Sequence, residues 1–138
     1  MWIFTVIGCF SVVRDREKRG GVLVRARAKA DIYNLYRKFS KKHRMTPPRS
    51  DESRDYRWRL SMRRADWVKI VARLANEIDY TNFKDEVHKR SDQANKHSAY
   101  LSVWSALLRV QRAEDPVQPH SSLQSAQGPE AGLSQSRR

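Results

Sequence analysis

Acidic residues are scarce in this chain of 138 residues: 15 Asp and Glu stand against 28 Lys and Arg, a formal charge of +13. A body this basic associates with polyanions at low salt, and nucleic acid, an anionic membrane surface or an acidic protein each satisfies that charge. Cysteine is scarcer still. The single thiol, Cys9, excludes an intramolecular disulfide and argues against a cysteine-built metal site, so a reducing, cytoplasmic setting is the expectation. Glycine is sparse too, and no Gly-rich phosphate loop, nucleophile elbow or HExxH pattern occurs. Of the histidines His43, His88, His97 and His120, only His88 and His97 share a helical region, and none has metal-ligand spacing. The expectation is therefore a protein without enzymatic activity, metal or cofactor.

A long hydrophobic run is also missing. The opening stretch, Met1 to Val13, is apolar and is followed by Arg14, Arg16, Lys18 and Arg19. It is shorter than the roughly 20 residues of a spanning helix, has no positive region before it and no clear small-residue cleavage site. Its Val, Ile, Phe, Trp and Thr content favours a buried strand, and no membrane span is expected.

What the chain does have is a pair of alternating segments. Val22, Val24, Ala26 and Ala28 share one side of a strand while Arg25, Arg27 and Lys29 share the other, because strand side chains repeat every two residues. Tyr56, Trp58, Leu60 and Met62 likewise oppose Arg57, Arg59 and Arg63. If both strands belong to one sheet, one face packs a core and the other carries a cationic field. Arg25, Arg27, Lys29, Arg57, Arg59 and Arg63 are thus the candidate phosphate-binding residues. A secondary basic patch, Arg37, Lys38, Lys41, Lys42 and Arg44, gathers near a helix end, where such charges complement the dipole.

Between these segments lie helical patterns. Gly20 and Gly21 mark a turn that joins the first two strands as a hairpin. Asp31 is placed to cap a helix with the stripe Ile32, Leu35, Tyr36 and Phe39, which ends in the charged stretch from Lys41 to Ser53 that holds Pro47 and Pro48. A second helix starts near Ala65, with Asp66 in its first turn and the stripe Trp67, Ile70, Val71, Leu74 and Ile78. Thr81 or Asn82 caps a last helical region that runs to about Arg112, with Phe83, Val87, Ala94, Leu101, Trp104 and Leu108 as its stripe and a break permitted at Ser91 to Ser98. Residues 113–138 are rich in Ser, Gln, Pro and Gly, are about neutral to slightly negative, and are expected to form a disordered tail.

The order strand, strand, helix, strand, helix, helix predicts a single α+β domain over residues 1–112. Its expected sheet is three-stranded and antiparallel, split βαβ-like, in spatial order 2-1-3 with the apolar first strand central and the helices on one face. That first strand leaves two readings of the other face. With Trp2, Phe4 and Phe10 toward the helices, it is a cationic groove with little stacking capacity; with those aromatics outward, they interleave with the arginines as a stacking platform for single strands.

The segments MWIFT with GCFSVV, VRAR at Val24 to Arg27, YRWRL, DYTNFK at Asp79 to Lys84 and VWSALL at Val103 to Leu108 resemble a family of small uncharacterised bacterial proteins. The resemblance covers about residues 1–112 and implies one compact bacterial domain; it implies no activity, substrate or site residue. The leading functional expectation is a nucleic-acid-binding or nucleic-acid-associated accessory protein working through its arginine face. The alternative is a protein-interaction or homodimerising module.

Overall fold

A two-residue turn splits the opening apolar stretch. In the computed structural model, which describes residues 1–114, Trp2–Thr5 forms β1 and Gly8–Arg14 forms β2, paired antiparallel from Trp2 opposite Ser11 to Thr5 opposite Gly8. The Thr5 hydroxyl donates to the Gly8 carbonyl at 3.0 Å and accepts from the Ile7 N–H at 3.3 Å, closing the turn on itself. Beyond β2, Gly21–Ala26 forms β3, Lys29–Phe39 α1, Arg49–Ser50 β4, Trp58–Arg63 β5 and Arg64–Asn76 α2. Phe83–Lys89 forms α3, a 3-10 turn covers Ala94–Lys96, and α4 spans His97–Glu114. The single helical region expected after Asn82 is thus broken inside the polar stretch. Ala113 and Glu114 complete α4, and the rest of the expected tail lies outside the described residues.

The fold is α+β, but its sheet has five strands in the order β1-β2-β3-β5-β4, with every neighbouring pair antiparallel. Two expectations are corrected here. The first strand is a hairpin, and the central strand is β3, flanked by β2 and β5. The reason lies in the charged segment after α1. That segment contains β4, which carries the chain back alongside β5, so β5 pairs directly with β3 and no parallel crossover opens a gap for the first strand.

Register sets the faces. Val24 stands opposite Leu60, Val22 opposite Met62, and Val12 opposite Val24, so these side chains share one face with Phe10. Against it pack Ile32, Leu35 and Phe39 of α1 and Trp67 and Ile70 of α2. Phe10, Ile32, Leu35, Leu60 and Ile70 are fully enclosed, and each such side chain contributes about 1.5–3 kcal/mol of transfer free energy. Ile78, expected in the α2 stripe, lies past the end of that helix and is exposed.

Asp31 is not the cap of α1. The helix starts earlier, at Lys29, and Asp31 sits buried in its first turn, accepting from the Cys9 N–H at 3.2 Å and from Gln93 Nε2 at 3.2 Å, with Lys96 Nζ also donating to it. The carboxylate thus ties β2, α1 and the 3-10 turn together. Gly8 is required beside it, because a Cβ there would stand 2.6 Å from the Asp31 Cβ. Asn82 does cap α3, its Oδ1 accepting from the Lys84 N–H at 3.0 Å.

Nor do all the helices share one face. Tyr100 of α4 packs edge-on against Phe4 at a ring distance of 5.4 Å and against Phe83 at 5.6 Å, on the β1 side of the face away from α1 and α2. Tyr100 is the enclosed aromatic of α4, while Trp104, expected in the buried stripe, is exposed.

Candidate nucleic-acid interface

Strand pairing assembles the candidate site from residues that lie far apart in the chain. Trp2 stands opposite Ser11, Ser11 opposite Arg25, Arg25 opposite Arg59, and Arg59 opposite Arg49. Directly opposed residues project to the same side, so a single row crosses all five strands on the face away from α1 and α2. Three consecutive members of it are arginines.

Like charges directly opposed across strands are destabilising, and local partners relieve only part of this crowding. Arg25 Nη2 donates to the Ser11 hydroxyl at 2.8 Å. Arg59 Nη2 donates to the Tyr56 carbonyl at 2.8 Å, and its Nη1 lies 3.6 Å from Asp51. The Ser53 hydroxyl first, then Arg59 and Arg54, hold the Asp51 carboxyl below its usual range. The Nε atoms of both Arg25 and Arg59 are buried without a hydrogen-bond partner among the described residues. Each such buried N–H left without an acceptor is a cost to the folded chain.

The three arginines of the row lie in a groove of about 620 Å³ whose lining includes six arginines, Arg14, Arg16, Arg25, Arg49, Arg54 and Arg59, against three carboxylates, Asp15, Glu17 and Asp55. At its margin the guanidinium of Arg25 lies 4.8 Å and that of Arg27 4.5 Å from the centre of the Tyr56 ring. Arg27 also donates to the Asp55 carbonyl at 3.1 Å.

The structure separates the other expected phosphate contacts from this row. Lys29 stands at the start of α1, 5.5 Å from the rings of both Tyr33 and Trp58. Arg57 leans over Trp58 at 5.7 Å and pairs with Glu52. Arg63 donates to Asp66 at 2.7 Å; that hydrogen bond, with help from His43, holds the buried Asp66 carboxyl below the usual carboxylate range. Alternation groups these cations with the row by parity, but the ends of the strands turn them elsewhere.

The secondary patch is also divided. Arg37 donates to Asn34 and Lys38 pairs with Glu77 at 2.9 Å, while Lys41 and Lys42 remain exposed. Arg44 joins Lys18, Arg19 and Arg63 around a separate pocket of about 290 Å³ that no carboxylate lines. The rings of His88 and His97 lie 5.2 Å apart, yet among the described residues no group of three or more His, Cys, Asp and Glu side chains converges. His120 lies outside the described residues. No helix among the described residues is long and apolar enough to cross a membrane.

Four groove arginines, Arg14, Arg16, Arg49 and Arg54, were not among the expected site residues. Arg49 and Arg54 sit in a stretch that reads as a charged connection, and only the pairing of β4 with β5 brings Arg49 beside Arg59. The aromatic set divides between the two readings of the open face: Phe10 enters the core, while Trp2 and Phe4 lie on the arginine side. Trp2 is 70% exposed at the end of the row. Comparison with protein-family models, with curated proteins and with solved structures finds no match to this chain.

Proposed function

We propose that this protein binds single-stranded nucleic acid across the open face of its sheet, the groove arginines holding the phosphate backbone and Trp2 offering a stacking surface. The observation that carries this reading is the row of Arg25, Arg59 and Arg49 on three adjacent strands, set in a groove lined by six arginines. A planar guanidinium donates two parallel hydrogen bonds to phosphate, and a concave cationic floor with aromatic rings at its margin suits a flexible strand. A duplex read through its major groove needs a protruding helix or ribbon to enter it. The groove offers the opposite shape.

Binding of this kind is electrostatic and weakly sequence-selective, as expected for an accessory protein. Titration of the purified, nuclease-treated protein with single strands, duplexes and heparin near physiological salt tests it. Preference for the single strand over heparin and duplex is the expected result; equal weak binding to all three reduces the charge to a general property of the surface.

A second reading has its own observation. Val103, Trp104, Leu107 and Val110 are all exposed along α4, an apolar stripe suited to a protein partner or a second copy of this chain. Salt-insensitive self-association in sedimentation across a wide concentration range favours it, and monomer throughout counts against the homodimeric form.

A further inference from the structure

Beside the arginine groove lies a second cavity of different character. It measures about 400 Å³, within the range of about 300–1,000 Å³ common to small-molecule sites. Trp2, Phe4, Tyr56 and Tyr100 supply its aromatic walls, and Asp31, Lys96 and Cys9 its polar groups. Arg27 lines it too, and the Tyr56 ring beneath Arg27 also lies beneath Arg25 of the groove. A strand lying on the arginines passes the mouth of this cavity.

The polar groups inside are unevenly used. Asp31 accepts from the Cys9 N–H at Oδ2 and from Gln93 and Lys96 at Oδ1, which leaves one acceptor position on Oδ2. Lys96 donates to Asp31 and to Gln93 Oε1 at 2.8 Å, and an ammonium has three N–H bonds, so one remains. The Tyr100 side chain is 8% exposed, and its hydroxyl has no hydrogen-bond partner among the described residues. A buried hydroxyl without a partner is costly, and a ligand that supplies the partner recovers that cost. Burial also raises the pKa of the Cys9 thiol and of the Tyr100 phenol, keeping both protonated. The cavity therefore offers a ligand N–H and O–H donors, and neither its thiol nor its phenol is ionised.

We infer that this cavity receives one unstacked nucleobase of the bound strand, and that it favours a base whose edge presents a carbonyl oxygen to the Tyr100 hydroxyl and the remaining Lys96 N–H, which uracil, thymine, guanine and cytosine do and adenine does not. The inference rests on the single-strand reading above and adds to it a base preference that phosphate contacts cannot produce. Flat aromatic walls accept any base by stacking, so the donors carry the discrimination.

Anisotropy titrations with labelled oligo-U and oligo-A of equal length, on the wild type and on Tyr100→Phe, test it. Tyr100→Phe keeps the ring and removes the unpartnered hydroxyl, so its melting temperature is expected to match or exceed that of the wild type. The wild type is expected to prefer oligo-U. Tyr100→Phe is expected to weaken oligo-U binding about fivefold, the value of one neutral hydrogen bond, and to leave oligo-A binding and both salt slopes unchanged. A wild type that binds both strands equally, or a folded Tyr100→Phe that keeps the full preference, overturns the base pocket while leaving the backbone reading intact. A wild type that binds neither strand overturns both.

Discussion

Arg25 and Arg59 stand directly opposite each other on neighbouring antiparallel strands, both on the face away from α1 and α2. Of the two, only Arg59 has a carboxylate partner among the described residues. Arg25 relies on a serine hydroxyl and a tyrosine ring, and Arg59 on a backbone carbonyl and an aspartate 3.6 Å away. Like charges opposed in this way are destabilising, a cost that a bound phosphate would relieve.

Arg63 separates binding from stability. Its hydrogen bond is the largest influence lowering the Asp66 carboxyl pKa, so the ionised form is favoured in the folded state. A carboxyl whose folded pKa is depressed contributes stability that is present above its unfolded value, about 3.9, and is lost as pH falls through the folded value. Arg63→Ala is expected to make unfolding begin at a higher pH on acidification, with strand affinity reduced far less than by Arg25→Ala. Acid titration followed by circular dichroism, beside a binding curve at neutral pH, checks both parts.

Lys96→Met is expected to be severe. It removes the cationic partner of Asp31, leaving a buried carboxylate with only neutral donors, and breaking a buried pair of this kind costs about 3–5 kcal/mol. Lys96→Met combined with Asp31→Asn is expected to recover part of the loss, since no charge is then buried. Urea unfolding of the two variants measures the difference.

Gly8→Ala tests how tightly β2 meets α1. The added methyl group would stand 2.6 Å from the Asp31 Cβ and 2.7 Å from its Cγ, so backbone must move. A loss of about 1–3 kcal/mol is expected, the usual cost of overpacking, and urea midpoints check it.

Much of the framework is visible in residue patterns. The i, i+3, i+7 spacing of Ile32, Leu35 and Phe39 marks the inner face of α1, and the alternations at Val22, Val24 and Ala26 and at Leu60 and Met62 mark the inner face of β3 and β5. The turn at Thr5 to Gly8 is not visible, because its two central residues, Val6 and Ile7, are apolar and β-branched. It is held from outside: Asn34 Nδ2 donates to the Ile7 carbonyl at 3.1 Å, and Asp31 accepts from the Cys9 N–H, both from α1. In this hairpin the paired residue numbers have opposite parity, as Phe4 opposite Cys9 shows. That reversal sends Phe4 and Phe10 to opposite faces, although a continuous strand would align them.

The arginine row was legible in part for the same reason. Arg25 and Arg59 follow from alternation within their own strands. Arg49 does not, since a two-residue strand carries no period, and its place is settled only by pairing with β5. The burial of Tyr100 in place of Trp104 follows from Phe4 and Phe83 converging on it, a contact between segments remote in the chain.

The central claim is that phosphate lies on the Arg25 and Arg59 row. Fluorescence anisotropy of a labelled single strand, titrated with the wild type and with the double variant Arg25→Ala/Arg59→Ala over a series of salt concentrations, measures it most directly. With circular dichroism showing the fold retained, the variant is expected to bind more weakly and to lose about 1.4 from the magnitude of the slope of log affinity against log salt, about 0.7 for each lost phosphate contact. An unchanged affinity and slope in the folded variant would contradict the account.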